Sequence, residues 1–320
     1  MNLARLSAVV FALIFPLPLM GQGARIDTTV PLNLRGTVDL SLVSGKITVH
    51  GWELPDVKIL ASTGNGTLRF NSNSNRVTLR VEPRGQGARS PVEATYEVSV
   101  PRGTRLTLQA VSGNIAASGS QGEISATTVS GGLDVSDGRR QVALESVSGP
   151  VRVSQVAGDL RAQTVSGSVR AENISGRIEA WTVTGAIRLI GLRNNDIHTE
   201  TVRGDIVYAG RVATGGTYDF ESHSGTIRLT IPPHTSAHIR LETVTGALQT
   251  EFPTQTPSTG ASRKGGRVEF TMGDGAAEVT ARTFSGRIVI KVEANPTIRR
   301  DSAPIIHTDS TPAIRRDLSS

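Results

Sequence analysis

One five-residue phrase, apolar then hydroxyl then Gly then any residue then apolar, recurs along the chain at a fixed interval. Val111-Ser112-Gly113-Asn114-Ile115, Val129-Ser130-Gly131-Gly132-Leu133, Val147-Ser148-Gly149-Pro150-Val151, Val165-Ser166-Gly167-Ser168-Val169 and Val183-Thr184-Gly185-Ala186-Ile187 start eighteen residues apart. A weaker copy lies half-way, as in Val156-Ala157-Gly158-Asp159-Leu160 and Ile174-Ser175-Gly176-Arg177-Ile178, so each arm is about nine residues long. Counted from the Gly, the apolar positions are +2, +4 and +7: Val169, Ala171 and Ile174 in one arm, Ile178, Ala180 and Val183 in the next. Residues +2 and +4 share a strand face because strand side chains alternate, and the longer step to +7 marks a corner. Such a pattern predicts an all-β protein, a parallel β-solenoid in the form of a flattened two-sheet β-helix with about 18 residues per coil. The phrase Gly is expected to turn the corner through positive φ, and the aliphatics beside it to fill a narrow core. A helix is excluded, since a Gly in every arm costs roughly 1 kcal/mol each against Ala.

The regularity has limits. Residues 25–110 alternate less evenly, although Val43-Ser44-Gly45-Lys46-Ile47 already carries the phrase, and they are read as an irregular β cap at the N-terminal end. Residues 111–292 are read as regular coils. Within them the period stretches to nineteen and then twenty-one residues through Val202-Arg203-Gly204, His223-Ser224-Gly225 and Val244-Thr245-Gly246. The extra residues are expected to bulge as loops at Asn194–Asp196, Thr214–Gly216 and Pro232–His234, and Pro253–Gly266 reads as a longer polar excursion. Residues 293–320 lose all periodicity and are expected to be a disordered tail. Residues 1–24 read as an export signal: Arg5, an apolar run from Leu6 to Met20, then Gly21-Gln22-Gly23-Ala24 as small cleavage-site residues. The mature protein is therefore expected in the periplasm, on the outer membrane or outside the cell.

Composition narrows the chemistry. The 320 residues include no Cys, which removes disulfides, zinc thiolates and thiol nucleophiles. Aromatics make up 4%, too few for base-stacking or sugar-stacking platforms. The formal charge of +6 is spread along the chain rather than gathered in a block, so no specific nucleic-acid binding is expected.

Several stretches together resemble a known bacterial family. They are Gly45-Lys46-Ile47-Thr48-Val49-His50-Gly51-Trp52 followed by Val57, Tyr96-Glu97-Val98-Ser99-Val100-Pro101-Arg102-Gly103, the run of Val-Ser-Gly phrases, and Gly273-Asp274-Gly275-Ala276 with Thr283-Phe284-Ser285-Gly286. In order and spacing, from Gly36 to Val292, they resemble the putative adhesin family also known as domain of unknown function 4097. The resemblance implies a β-solenoid and an envelope or secreted setting, and it brings no catalytic residues.

Equivalent positions in successive coils stack about 4.8 Å apart, so the ladders on the outside can be read in advance. Ser112, Ser130, Ser148, Ser166 and Thr184 form a hydroxyl ladder at the corner, and Thr128, Ser146, Thr164, Thr182 and Thr201 are read as a second outward one. Arg152, Arg170 and Arg188 form a cationic stripe, with Glu172 beside Arg170 and Arg161 on the opposite sheet. Trp181 takes a position that is polar in neighbouring coils and is expected to face outward. These four residues, Arg152, Arg170, Arg188 and Trp181, are the candidates for surface binding. His234 and His238 lack a third ligand nearby, and Asp134, Glu145, Asp159, Glu172 and Glu179 do not fall into one column, so no catalytic, metal or cofactor site is expected. The reading that follows is an exported non-enzymatic module, binding, adhesin-like or structural, whose partner is an envelope component such as an anionic polymer or lipid surface. The alternative is a lyase or hydrolase acting on acidic polysaccharide, by analogy with other β-helices.

Overall fold

The computed structural model describes residues 23–84, 92–252 and 263–293. Most of the expected export segment (residues 1–22), most of the expected polar excursion (253–262) and the expected tail from 294 onward lie outside the described residues. Among the described residues there is no helix, and strands follow one another from Ala24–Pro31 to Arg287–Val292.

The eighteen-residue period is a stacking register. Val142 pairs with Leu160 and Leu160 with Ile178, all parallel, while Val151 pairs with Val169 and Val169 with Ile187 in the other arm. The protein is thus a parallel β-solenoid. Hydrogen bonding joins all the described strands into one sheet. Long strands such as Thr37–Trp52 and Arg105–Ser118 run through the Val-Ser-Gly corner, which folds that sheet into two layers. The first layer precedes the corner and the second follows it. Between them Ala126, Ala162, Ala171 and Ala180 are buried, with Leu144, Val169 and Ile178. Small residues at the centre let the layers close on each other without voids.

Three expectations need correction at the corner. First, the phrase Gly does not serve mainly as a left-handed turn: Gly45 has φ +120°, Gly131 and Gly185 are near extended at 158° and 157°, and the other phrase glycines are not in the positive region. The chain turns left-handed six residues later, at Gly119, Asp137, Gln155, Asn173 and Gly191, where φ lies between 54° and 70°. Glycine is needed in the phrase because the coils touch there: a Cβ on Gly167 would lie 2.1 Å from the Gly149 carbonyl oxygen, and one on Gly185 1.9 Å from that of Gly167. Second, the Val of the phrase faces solvent. Val111, Val129, Val147, Val165, Val202 and Val244 are all exposed, and His223 and Phe284, which take the same position, stack on each other at 4.9 Å. Strand alternation turns the Val out because it follows a buried residue (Ala110, Thr128, Thr164), and the hydroxyl residue after it is exposed too, so alternation breaks at the corner. Third, the ladder of Thr128, Thr164, Thr182 and Thr201 points inward. Each buried hydroxyl donates to the phrase-Gly carbonyl of the preceding coil, at 3.2 Å for Thr128 to Gly113 and 3.1 Å for Thr182 to Gly167.

Stacking order also departs from chain order at both ends. The coil of Ala277–Thr283 and Arg287–Val292 slots between that of Thr217–Ser224 and Ile227–Ile231 and that of Ala237–Thr250. Strand Arg263–Met272 then lies antiparallel on the outside. At the other end the strands Arg76–Pro83 and Glu93–Pro101 stack on one side of Thr37–Trp52, and Arg105–Ser118 on the other. Antiparallel strands Gly66–Ser72, Asp56–Thr63 and Ala24–Pro31 finish that end. A parallel stack left open would offer an unpaired edge to other chains; an antiparallel cover closes it.

The coils widen towards the C-terminal end, where the alanines give way to Tyr208, Tyr218 and Phe220, all buried. The Tyr208 ring lies 5.3 Å from Phe220 and 6.0 Å from Tyr218. The Tyr208 hydroxyl donates to Arg211 O at 2.7 Å, and Tyr218 donates to Asn194 O while accepting from Ala213 N–H, so the two expected loops are tied to the core. Burial pushes the hydroxyls of Tyr96, Tyr208 and Tyr218, the only tyrosines of the chain, above their usual 10.0. Their neutral forms thus contribute stability that is complete below pH 10 and is lost as the pH rises beyond it. Tyrosinate absorbance in an alkaline titration is expected to appear together with loss of β circular dichroism. A tyrosinate signal from the intact fold near pH 10 would contradict this burial.

Candidate surface-binding site

The arginine stripe forms as expected. Parallel pairing sets Arg152 beside Arg170 and Arg170 beside Arg188, on the solvent side of the second layer because Val151, Val153, Val169 and Ala171 take the inner positions. Rungs about 4.8 Å apart bring like charges close enough to repel. Glu172 relieves one of them, accepting from Arg170 Nε at 2.5 Å. Among the described residues Arg152 and Arg188 have no ion pair.

The stripe is longer than the eighteen-residue period suggests. Arg188 pairs with Val207 and Val207 with Arg228, so Arg228 stands in the same column, exposed and without an ion pair among the described residues. The stretched coils hid it. Its signal was its place three residues after Gly225, which Arg152, Arg170 and Arg188 share with respect to their own phrase glycines. Asp134 lies at the opposite end of the column, next to Arg152.

Several arginines of the first layer meet acids on adjacent strands. Arg161 reaches Glu179 at 3.3 Å, and Arg282 reaches Asp219 at 3.1 Å and Glu221 at 3.3 Å. Arg240 and Arg267 lie 2.5 and 2.6 Å from Glu269 and hold its carboxyl down at about 2. Such exposed pairs contribute little stability individually. They do leave Arg161, Arg240 and Arg282 matched, whereas Arg152, Arg188 and Arg228 of the second layer have no ion pair among the described residues.

Trp181 faces outward as expected and is 38% exposed, between Gln163 and Glu200. It lies on the first layer, so the fold does not bring it together with Arg152, Arg170 and Arg188. Trp52 is part of the packing, its indole N–H donating to Asp56 O at 2.7 Å. His238 faces Thr271 Oγ1 at 3.2 Å, and among the described residues no group of three His, Asp or Glu is placed to hold a metal. The acids considered for glycoside chemistry are dispersed. Asp134 and Glu172 lie on the second layer and Glu145 and Glu179 on the first, while Asp159 accepts from the Arg177 N–H where the chain passes between layers.

No curated protein matches the chain. Among solved structures, it is similar to a putative adhesin from Parabacteroides distasonis, with 9% identity, coverage of 85% of this chain and 98% of the other, and a TM-score of 0.46. It is similar also to a putative lipid binding protein from Parabacteroides distasonis, with 10% identity, 86% and 98% coverage and a TM-score of 0.47. A putative adhesin from Bacteroides fragilis shows 14% identity, 85% and 99% coverage and a TM-score of 0.33. The profile of the Toastrack DUF4097 family matches residues 72–291, from the N-terminal end assembly through the last coil, and the chain belongs to that family.

Proposed function

We propose that the protein is an exported, non-enzymatic binding module of the bacterial cell envelope that uses the outer face of its second layer to hold an anionic polymer or lipid surface. The observation that carries this reading is the contrast between the two faces. Arg161, Arg240 and Arg282 of the first layer are each held by an acid on an adjacent strand, while Arg152, Arg188 and Arg228 form no ion pair among the described residues. A column of unmatched guanidiniums at strand spacing is offset best by an external polyanion, and the rigid stack fixes the backbones that present it, so that only side chains are ordered on binding. Dispersal of the carboxylates over two faces and a corner supports a surface module over an enzyme acting on acidic polysaccharide.

Retention on immobilised lipopolysaccharide and flotation with phosphatidylglycerol vesicles test the proposal. The Arg152→Ser/Arg170→Ser/Arg188→Ser variant should bind on the order of 100-fold more weakly, at about 1 kcal/mol per arginine near an anionic surface. Unchanged retention of the triple variant on both supports would sink it.

A further inference from the structure

The narrow edge opposite the Val-Ser-Gly corner, where each coil passes from the second layer back to the first, has a different character. There a cleft of about 520 Å3 is lined by Arg35, Arg105, Gln121, Glu123, Arg139 and Arg140. Four arginines share this cleft with a single acid. Arg105 Nε donates to Glu123 Oε2 at 2.8 Å, and among the described residues Arg35, Arg139 and Arg140 have no ion pair. The cleft therefore carries an excess of three positive charges.

The side chains come from separate coils, yet their backbones are pinned. Arg35 lies in a turn closed by Gly36 N–H to Asn33 O at 2.7 Å, and Arg105 N–H donates to Gly36 O at 2.9 Å. Beside Arg139 and Arg140, Ala157 N–H donates to Gly138 O at 2.9 Å, and Gly158 packs so closely that a Cβ would lie 2.2 Å from Arg140 O. A fixed base shortens the search that each long side chain must make to meet a ligand. Guanidinium pairs offer forked donors that match phosphate oxygens, and the Gln121 amide adds a neutral donor. The volume falls in the usual range for small-ligand sites and exceeds what a bare phosphate fills, which leaves space for the group that bears it.

We propose that this edge cleft binds a phosphate group, with Arg139 and Arg140 as its main ligands and Arg35 and Arg105 closing it. It is a site separate from the Arg152 column, and it reads a discrete group rather than a charged surface. The phosphate comes either from a soluble phosphate compound or from a lipid headgroup. Calorimetric titration of the full chain with inorganic pyrophosphate, and binding to phosphatidylglycerol against phosphatidylcholine vesicles, distinguish the two. Arg139→Ser/Arg140→Ser should weaken pyrophosphate binding at least about tenfold, while the Arg152→Ser/Arg170→Ser/Arg188→Ser variant binds pyrophosphate like the native chain. Binding to phosphatidylglycerol vesicles alone, lost in Arg139→Ser/Arg140→Ser, assigns the group to a lipid headgroup. Binding to neither probe, or binding undiminished in that double variant, overturns the proposal. Should the double variant fail to fold, Arg35→Ser, on an exposed turn, replaces it: weakened binding supports the site and undiminished binding overturns it. Unchanged retention of the Arg152→Ser/Arg170→Ser/Arg188→Ser variant on both anionic supports, with pyrophosphate binding intact and lost in Arg139→Ser/Arg140→Ser, would refute the surface reading and leave this one standing.

Discussion

Gly167→Ala is expected to cost at least about 3 kcal/mol of folding free energy, among the largest effects a single methyl can have in this protein. The added Cβ would sit 2.1 Å from the Gly149 carbonyl oxygen and 2.8 Å from Thr164 Oγ1. No rotamer relieves a clash with backbone, so the coils must part locally. Parting them strips the Thr164 hydroxyl from Gly149 O, now 3.3 Å away, and leaves a buried donor unsatisfied at a further cost of about 1–3 kcal/mol. Gly132→Ala is the matched control. Its Cβ would have nothing closer than 3.5 Å, and Gly132 is not among the positive-φ residues, so stability should change by less than about 1 kcal/mol. Denaturant midpoints of the two variants decide the matter. If Gly167→Ala unfolded like the native chain, close coil contact would not be the reason for glycine in the phrase.

Phe220→Ala is expected to lose about 3–5 kcal/mol. Phe220 is fully buried in the first layer, with Tyr208 packed against it at 5.3 Å. Its coil neighbours cannot collapse into the space, because the hydroxyls of Tyr208 and Tyr218 are anchored to backbone in the 194 and 211–213 loops. Removing the ring also loosens those loops, so proteolysis between Asn194 and Gly216 should accelerate in the variant. Ala180→Gly, a smaller change in the same inner column two coils earlier, should cost only about 1 kcal/mol. Similar denaturant midpoints for the two variants would show that the aromatic cluster does not carry the C-terminal coils.

Much of this was legible because a solenoid is nearly one-dimensional. With one coil contacting only its neighbours, a period in the chain becomes a register in space. That is why Arg152, Arg170 and Arg188 could be placed side by side, and Trp181 outward, from the chain alone. Corner chemistry was less legible. Val111 and its equivalents are apolar, so polarity pointed inward while their place after a buried residue turned them out. Thr128 and its equivalents are polar, so polarity pointed outward, while the carbonyl of the preceding glycine offered a buried acceptor. Arg228 was missed because twenty-one-residue coils broke the count that had located the others.

The sequence by itself determined the coil: its period, its inner alanine and aliphatic positions, and the composition of its outer columns. Those properties are local, since each depends on residues two to eighteen apart and on strand alternation. Only the tertiary structure decided which coil lies on which. Ala277–Thr283 separates Thr217–Ser224 from Ala237–Thr250, although it follows both in the chain. By alternation alone any of these phrases could pair with any other; the order found puts Ala237–Thr250 at the open edge, where the antiparallel strand Arg263–Met272 covers it. The same holds for pairing of charge. Arg282 and Asp219 lie sixty-three residues apart and meet only because of that interleaving, whereas the edge cleft gathers Arg35, Arg105 and Arg139 through stacking around an end that no period described.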